Sequence, residues 1–215
     1  TNYDDAMAMY AKYKSNLLGV ISDVGFTVHK GDRPEDEKLD AGIDLVRHIR
    51  SDNPTMPILL QSSQSSISAT ADELGVGFLR KYSKTLMIQL AEYIRDEFGF
   101  GDFVFRDKER REYGHASNLK ELEHMMRNVP DDVLLYTTSK NMFSKWFLAR
   151  GLFTLGGKFK DARLSHFGTV QEMRDYISQQ IHDYHVLMGR GVIAHFDTES
   201  YGRHIWFARM GVGSL

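Results

Sequence analysis

The chain of 215 residues contains no cysteine. This absence excludes disulfide frameworks, thiolate metal sites and cysteine nucleophiles. The sequence also lacks an apolar run long enough to cross a membrane, and it opens on a polar segment rather than on an apolar signal core. The net charge is only −2, which gives no electrostatic reason to expect nucleic-acid binding. We therefore expect a cytoplasmic protein that associates with neither membranes nor nucleic acids.

The composition is typical of a folded protein, with 42% hydrophobic and 26% charged residues. Short apolar runs alternate with helical patterns over residues 1–99, whereas a hairpin pattern and amphipathic helices follow over residues 100–188. An extended segment and a glycine-rich end occupy residues 189–215. We predict an α/β domain, a small α+β domain and an extended linker over these three ranges.

The first domain is predicted to contain a parallel sheet, because strand and helix patterns alternate and right-handed crossovers then align the strands. A long polar loop with no regular period separates its first strand from its second helix (24–40). Buried strands are predicted at 17–23, 56–63 and 75–81, and helices at 3–14, 41–50, 66–74 and 84–98.

The second domain is predicted to be a hairpin followed by helices, with one short strand between them. The apolar positions of its helices recur at helical spacing. The predicted elements are a hairpin (103–116), a helix (119–129), a strand with the sequence VLLY (133–136) and two helices (142–150 and 169–188).

Three features of this domain invite a functional interpretation, and we assign each to packing or to a turn. The segment GLFTLGGKF (151–159) has the glycine spacing of a phosphate loop, but its other residues are bulky and Phe159 stands where a hydroxyl is needed. We predict a helix end followed by a turn there. His182 and His185 share a helix face without an evident third metal ligand. Trp146 lacks the interleaved basic residues of a base-stacking platform and is predicted to be core.

Polar residues end the three predicted strands of the first domain. LLGVISD ends on Asp23, PILLQSS contains Ser62, and GFLRK ends on Lys81. The carboxyl ends of parallel strands meet at one edge of a sheet, where ligands bind. Phosphorylation of an aspartate requires an attacking carboxylate, a hydroxyl that donates to one phosphoryl oxygen and an ammonium that pairs with another. We predict that these three side chains converge on one site.

In order and spacing these residues resemble the receiver domain of two-component response regulators. The resemblance implies a flavodoxin-like parallel sheet in which Asp23 is the phosphoacceptor. It also implies that Ser62 and Lys81 bind the phosphoryl group. Gly42 falls on the glycine that opens a helix in that family, and Phe78 falls on its switch aromatic.

The same resemblance implies a Mg²⁺ ion, held by Asp23, the backbone of Gly25 and an acidic pair from an earlier strand. It covers about residues 3–98, so that strand would precede Thr1 and the sheet is expected to be incomplete on its N-terminal side. Tyr82 stands where the family has a proline. A phosphodonor kinase is an implied partner.

A second resemblance involves residues 134–151 and 190–215. They are similar to the segment that precedes the nucleotide-binding domain in proteins related to phosphoenolpyruvate synthase and pyruvate phosphate dikinase. This similarity implies a parent protein that is an ATP-dependent phosphotransferase, whose C-terminal ATP-binding domain is the partner of this region. Gly211 and Gly213 would open its glycine-rich loop, and the lysine of that loop would lie beyond Leu215. ATP binding is therefore expected of the parent protein only.

The favoured hypothesis is a non-catalytic regulatory region of such a phosphotransferase, with Asp23 as candidate phosphoacceptor. One alternative is a degenerate interaction module in which Asp23 and Lys81 form a plain ion pair. Another is a response regulator with a different output, such as DNA binding, which the near-neutral charge of residues 101–215 disfavours. An enzyme complete in itself is disfavoured because no set of nucleophile, base and metal ligands is assembled.

Overall fold

The computed structural model describes residues 2–160 and 162–189, and the chain divides into two compact units, Thr1–Phe98 and Gly99–Leu215. Of the predicted linker over 189–215, only Gly189 falls within the described residues, as the last residue of a helix. The rest of the linker, with Gly211 and Gly213, lies outside them.

The first unit is an α/β fold with a three-stranded parallel sheet, in the order β1-β2-β3. The parallel sheet and all four helices were predicted from the sequence, and their bounds differ from the prediction by a few residues. The strands are β1 (Val20–Asp23), β2 (Ile58–Ser62) and β3 (Gly77–Arg80), and the helices are α1 (Tyr3–Tyr13), α2 (Ala41–Asp52), α3 (Ile67–Glu73) and α4 (Leu86–Glu97).

Burial differs between the central and the outer strands. Ile58, Leu59 and Leu60 of β2 have no exposed surface, as expected for a parallel strand covered on both faces. The prediction of a buried first strand was wrong, because Ile21 of β1 is 43% exposed. Within the described residues β1 pairs with β2 alone, so its other edge is not covered by a strand.

The loop that follows β1 has more structure than its sequence predicted. Phe26 and Lys38 form an isolated antiparallel bridge, and residues Pro34–Asp36 form a turn of 3₁₀-helix. The backbone N–H of Tyr3 donates to the Thr27 carbonyl at 2.9 Å, which joins the loop to the start of α1. These contacts fold the loop back on itself beside the end of β1.

Helix α4 is anchored to the sheet by a tyrosine. The Tyr93 hydroxyl donates to the Ile58 carbonyl of β2 at 2.6 Å. A Cβ at Gly77 of β3 would lie 2.3 Å from the Tyr93 ring, so the ring can lie against β3 only because residue 77 is a glycine. Burial and the neighbouring Glu97 carboxylate raise the pKa of Tyr93 to about 12, which keeps the hydroxyl protonated as a donor.

In the described residues, the second unit is a two-stranded antiparallel hairpin followed by five α-helices and one short 3₁₀-helix (Leu164–His166). The hairpin and three of the α-helices were predicted from the sequence, at 119–129, 142–150 and 169–188. The elements are β4 (Phe103–Arg106), β5 (Glu112–Ala116), α5 (Leu119–Met126), α6 (Asp131–Ser139), α7 (Met142–Ala149), α8 (Phe153–Phe159) and α9 (Val170–Gly189).

Aromatic residues form the centre of this unit, as predicted for Trp146. Phe143, Trp146 and Phe147 are at most 2% exposed, and the Phe143 ring stacks on Phe103 with 4.8 Å between centroids. The Arg150 guanidinium lies 3.7 Å from the Trp146 ring centroid. Packing within the unit therefore accounts for this cluster. None of the described helices is long and apolar enough to span a membrane.

Two predictions for the second unit were wrong. The sequence VLLY lies within α6 rather than in a strand, because two aspartates in the first turn stabilise the helix N-terminus. The segment over 151–159 was predicted as a helix end and a turn. The helix end is confirmed, since Gly151 follows α7 with a φ of +73°, but the predicted turn is the helix α8. Its glycines lie inside the helix, where Gly156 N donates to Leu152 O at 2.8 Å.

The contact between α2 and the end of β1 depends on Gly42. The Gly42 N–H donates to the Val24 carbonyl at 2.8 Å. A Cβ at Gly42 would lie 2.0 Å from the carbonyl oxygen of Asp23 and 2.9 Å from the Cα of Val24, both backbone atoms that cannot move aside independently. Only glycine permits α2 to approach the residue that ends β1.

Replacing Gly42 with alanine is therefore expected to lower the free energy of unfolding by about 1–3 kcal/mol, because the methyl group overpacks a backbone contact. Urea unfolding followed by circular dichroism measures the change. The matched control is Gly157→Ala in α8, where a Cβ meets nothing within 4 Å. It should instead raise stability, by up to about 1 kcal/mol. An unchanged unfolding midpoint for Gly42→Ala would contradict the role given to this contact.

Candidate functional site

The site lies at the carboxyl end of the parallel sheet, where Asp23 and Lys81 form an ion pair. Lys81 Nζ is 2.9 Å from Asp23 Oδ1, and the two side chains are 33% and 48% exposed, respectively. The strand order explains why they meet: β1 ends on Asp23, and Lys81 directly follows β3, on the other side of β2. The structure thus brings together two of the three predicted site residues.

Ser62 ends the strand that lies between them. Its carbonyl accepts a hydrogen bond from the Lys81 backbone N–H at 2.9 Å, and the carbonyl of its neighbour Gln61 accepts one from Val24 N at 3.1 Å. These two bonds continue the sheet pairing one residue past β1 and β3 and fix the spacing of the strand ends. The Ser62 Oγ accepts a bond from the Gln64 backbone N–H at 3.1 Å, so the hydroxyl hydrogen remains available for donation.

Phe78, the predicted switch aromatic, lies in β3 and is partly buried against the hydrophobic core of the first unit. Gly25, the predicted backbone ligand, lies two residues after Asp23. A Cβ at Gly25 would come within 2.6 Å of a Glu37 carboxylate oxygen, so the loop over 24–40 places an acidic side chain against Gly25. Sequence analysis missed Glu37, because no sequence period indicated that this loop folds back.

No group of three or more histidine, aspartate or glutamate side chains is arranged to hold a metal ion within residues 2–160 and 162–189. The histidine pair of α9 faces Glu123 of α5 instead. His182 Nδ1 is 3.0 Å and His185 Nδ1 is 3.7 Å from the two carboxylate oxygens of Glu123. Arg127 lies 3.9 Å from the same carboxylate. These contacts join α5 to α9, and sequence analysis had not identified Glu123 as the partner.

The sheet edge presents the kinds of side chain that transfer of a phosphoryl group to a carboxylate requires. It contains a solvent-accessible carboxylate, an ammonium in contact with that carboxylate, and a hydroxyl at the end of the strand between them. An exposed ion pair contributes only about 0–1 kcal/mol to stability, so stabilising the fold does not account for it.

No known family model matches this chain, and neither does any curated protein or solved structure. The fold and the site define a parallel α/β unit that presents an ion-paired aspartate at its carboxyl edge. The functional argument therefore rests on the geometry of the described residues.

Replacing Asp23 with asparagine is expected to change the free energy of unfolding by no more than about 1 kcal/mol, because the pair that is lost is exposed. Urea unfolding again measures the change. The contrasting variant is Arg50→Met, since Arg50 donates to the Met56 and Gly75 carbonyls at 2.6 and 2.7 Å. That replacement is expected to lower the free energy of unfolding by about 2 kcal/mol, because charged hydrogen bonds to two backbone carbonyls disappear, the Met56 bond being partly buried. A larger loss for Asp23→Asn than for Arg50→Met would show that the ion pair is structural.

Proposed function

We propose that the first unit is a receiver-like regulatory module in which Asp23 accepts a phosphoryl group. One observation carries the proposal: Lys81 Nζ lies 2.9 Å from an Asp23 carboxylate that is 48% exposed at the carboxyl end of a parallel sheet. A phosphodonor can reach a carboxylate in that position. The ammonium beside it is placed to pair with the phosphoryl oxygens that arrive.

The proposed reaction uses the carboxylate as nucleophile. An Asp23 oxygen attacks the phosphorus of an acyl phosphate or of a phosphorylated donor protein. A new P–O bond forms, the bond between phosphorus and the donor atom breaks, and the electron pair leaves with the donor. Lys81 then pairs with one phosphoryl oxygen, and the Ser62 hydroxyl donates its free hydrogen to another.

A Mg²⁺ ion would offset the negative charge that accumulates between nucleophile and phosphoryl group. Mg²⁺ needs oxygen ligands, and it commonly uses one or two carboxylates, waters and substrate phosphate. Asp23 and the Gly25 carbonyl supply oxygens of this kind, and they are the residues we assign to the ion. The partner that donates the phosphoryl group is proposed to be a kinase.

We also propose that the chain is a non-catalytic regulatory region of an ATP-dependent phosphotransferase related to phosphoenolpyruvate synthase and pyruvate phosphate dikinase. This proposal rests on the sequence resemblance given above for residues 134–151 and 190–215, of which residues 190–215 lie outside the described residues. ATP is assigned to a following domain of that parent protein. The sequence from Gly156 to Lys158 is not an ATP site, because its backbone is helical and cannot wrap a phosphate.

A second candidate is an interaction module that is never phosphorylated. The ion pair itself favours this alternative, because Lys81 already neutralises Asp23 without a phosphoryl group. In that case the sheet edge would act only as a binding surface. The two candidates differ in whether Asp23 reacts with a phosphodonor.

Incubation of the full-length protein with acetyl phosphate and Mg²⁺ is expected to phosphorylate the wild type and not Asp23→Asn. Lys81→Met should slow the reaction, because the cation that pairs with the phosphoryl group is removed. Migration in a phosphate-affinity gel and intact-protein mass spectrometry measure the product. Hydroxylamine should release it, as expected for an acyl phosphate.

The matched control is Asp72→Asn, which removes an exposed aspartate of α3 and should leave phosphorylation unchanged. Modification of Asp23→Asn would show that another residue is the acceptor. An unmodified wild type would exclude the phosphorylation proposal and favour the interaction module.

A further inference from the structure

A second functional feature lies directly after Lys81. Tyr82 has a φ of +63°, in the left-handed region that non-glycine residues rarely adopt, and its side chain is 90% exposed. A bulky residue in this conformation is normally retained by packing around it, yet the Tyr82 ring has almost none. An unfavourable backbone conformation without compensating contacts in the chain indicates that Tyr82 contacts another molecule.

Two more apolar side chains are exposed just beyond Tyr82. Met87 and Ile88, in the first turn of α4, are 71% and 61% exposed. No residue of α4 is fully buried. We define the docking segment as residues 80–88, which present one aromatic and two aliphatic side chains to solvent. Exposed apolar side chains clustered in this way mark interaction sites.

The docking segment is ordered by its own hydrogen bonds. The backbone N–H of Ser83 donates to the Arg80 carbonyl at 3.3 Å, and that of Leu86 donates to the Ser83 carbonyl at 3.1 Å. The Ser83 hydroxyl also accepts from the Thr85 N–H at 3.3 Å. A segment held in this way loses little conformational entropy when a partner binds.

The charge of the segment indicates the chemistry of that partner. Arg80, Lys81 and Lys84 are basic, and residues 74–91 contain no aspartate or glutamate. Lys81 pairs with Asp23, whereas Arg80 and Lys84 are exposed and have no ion-pair partner within the described part of the chain. An apolar surface flanked by unpaired cations is complementary to an acidic segment that carries apolar side chains.

We propose that residues 80–88 dock an acidic, amphipathic segment of a partner protein, with Tyr82 as the aromatic anchor. Aromatic residues dominate the binding energy of such interfaces, and the surrounding cations steer an acidic partner to the surface. This inference goes beyond the phosphorylation proposal and does not depend on it, because it rests on the exposure, charge and backbone conformation of the segment.

The test begins with photo-crosslinking in cells of the source organism. A benzophenone amino acid replaces Met87 in the full chain, and mass spectrometry identifies the crosslinked peptide. The matched control carries the same crosslinker at Leu39, which is 74% exposed but lies among the acidic residues Glu35, Asp36, Glu37 and Asp40. We expect the Met87 position, and not the Leu39 position, to capture a peptide of net negative charge with apolar residues.

A synthetic peptide of the captured sequence is then titrated by fluorescence anisotropy. Tyr82→Gly should weaken binding by about tenfold or more. It should leave the melting temperature unchanged or higher, because glycine fits the left-handed backbone without strain. A charge-reversed pair, Arg80→Glu with Lys84→Glu, should also weaken binding, and added salt should weaken binding to the wild type. Leu39→Ser should bind as the wild type does.

Three outcomes would overturn the proposal. The first is capture of the same peptide at both positions or at neither. The second is full affinity in Tyr82→Gly, which would remove the anchor role. The third is cosedimentation with phosphatidylserine vesicles that Tyr82→Gly abolishes, in the absence of peptide binding, which would assign the segment to a membrane surface instead.

Discussion

The close contact between α2 and the end of β1 is the constraint on which the site depends. Residue 42 has no side chain, so its N–H reaches the Val24 carbonyl and its Cα lies against the backbone of Asp23. The helix therefore fixes the backbone that carries the carboxylate. On the other side, the Lys81 N–H bonded to the Ser62 carbonyl fixes the lysine. Two backbone attachments thus set the geometry of an ion pair that is itself too exposed to hold the fold together.

The parallel sheet and the meeting of Asp23 with Lys81 could be predicted from the sequence, because strand and helix patterns alternate along the chain and the carboxyl ends of parallel strands meet at one edge. Each strand is a short apolar run, and each run ends on a polar residue at the same edge. The exposure of Ile21 could not be predicted. A strand's own residues do not reveal whether a neighbour covers it. The position of Glu37 beside Gly25 was missed for a similar reason, since it follows from how an irregular loop closes.

In the second unit, two sequence patterns fitted more than one local structure, and tertiary packing decides between them. VLLY is as apolar as a strand, but its run is too short for periodicity to distinguish a strand from a buried helix turn. The glycines of α8 have a packing role. A Cβ at Gly156 would lie 2.8 Å from Leu148 of α7, and the Ser144 hydroxyl donates to the Gly156 carbonyl at 2.8 Å. A glycine spacing that suggested phosphate binding is instead explained by the close approach of two helices.

The Asp23 and Lys81 ion pair is exposed, so it contributes little to the stability of the fold and is accessible for the proposed chemistry. A buried ion pair is costly to break, by about 3–5 kcal/mol, because one charge would remain desolvated. Water can solvate either member of an exposed pair when the other moves, so in the proposed reaction a shift of Lys81 from the carboxylate to a phosphoryl oxygen would cost little. Lys81 is also followed directly by Tyr82, whose backbone lies in an unfavourable region. If Asp23 is phosphorylated as proposed, the added negative charge would face Lys81, one residue away from the exposed Tyr82 ring.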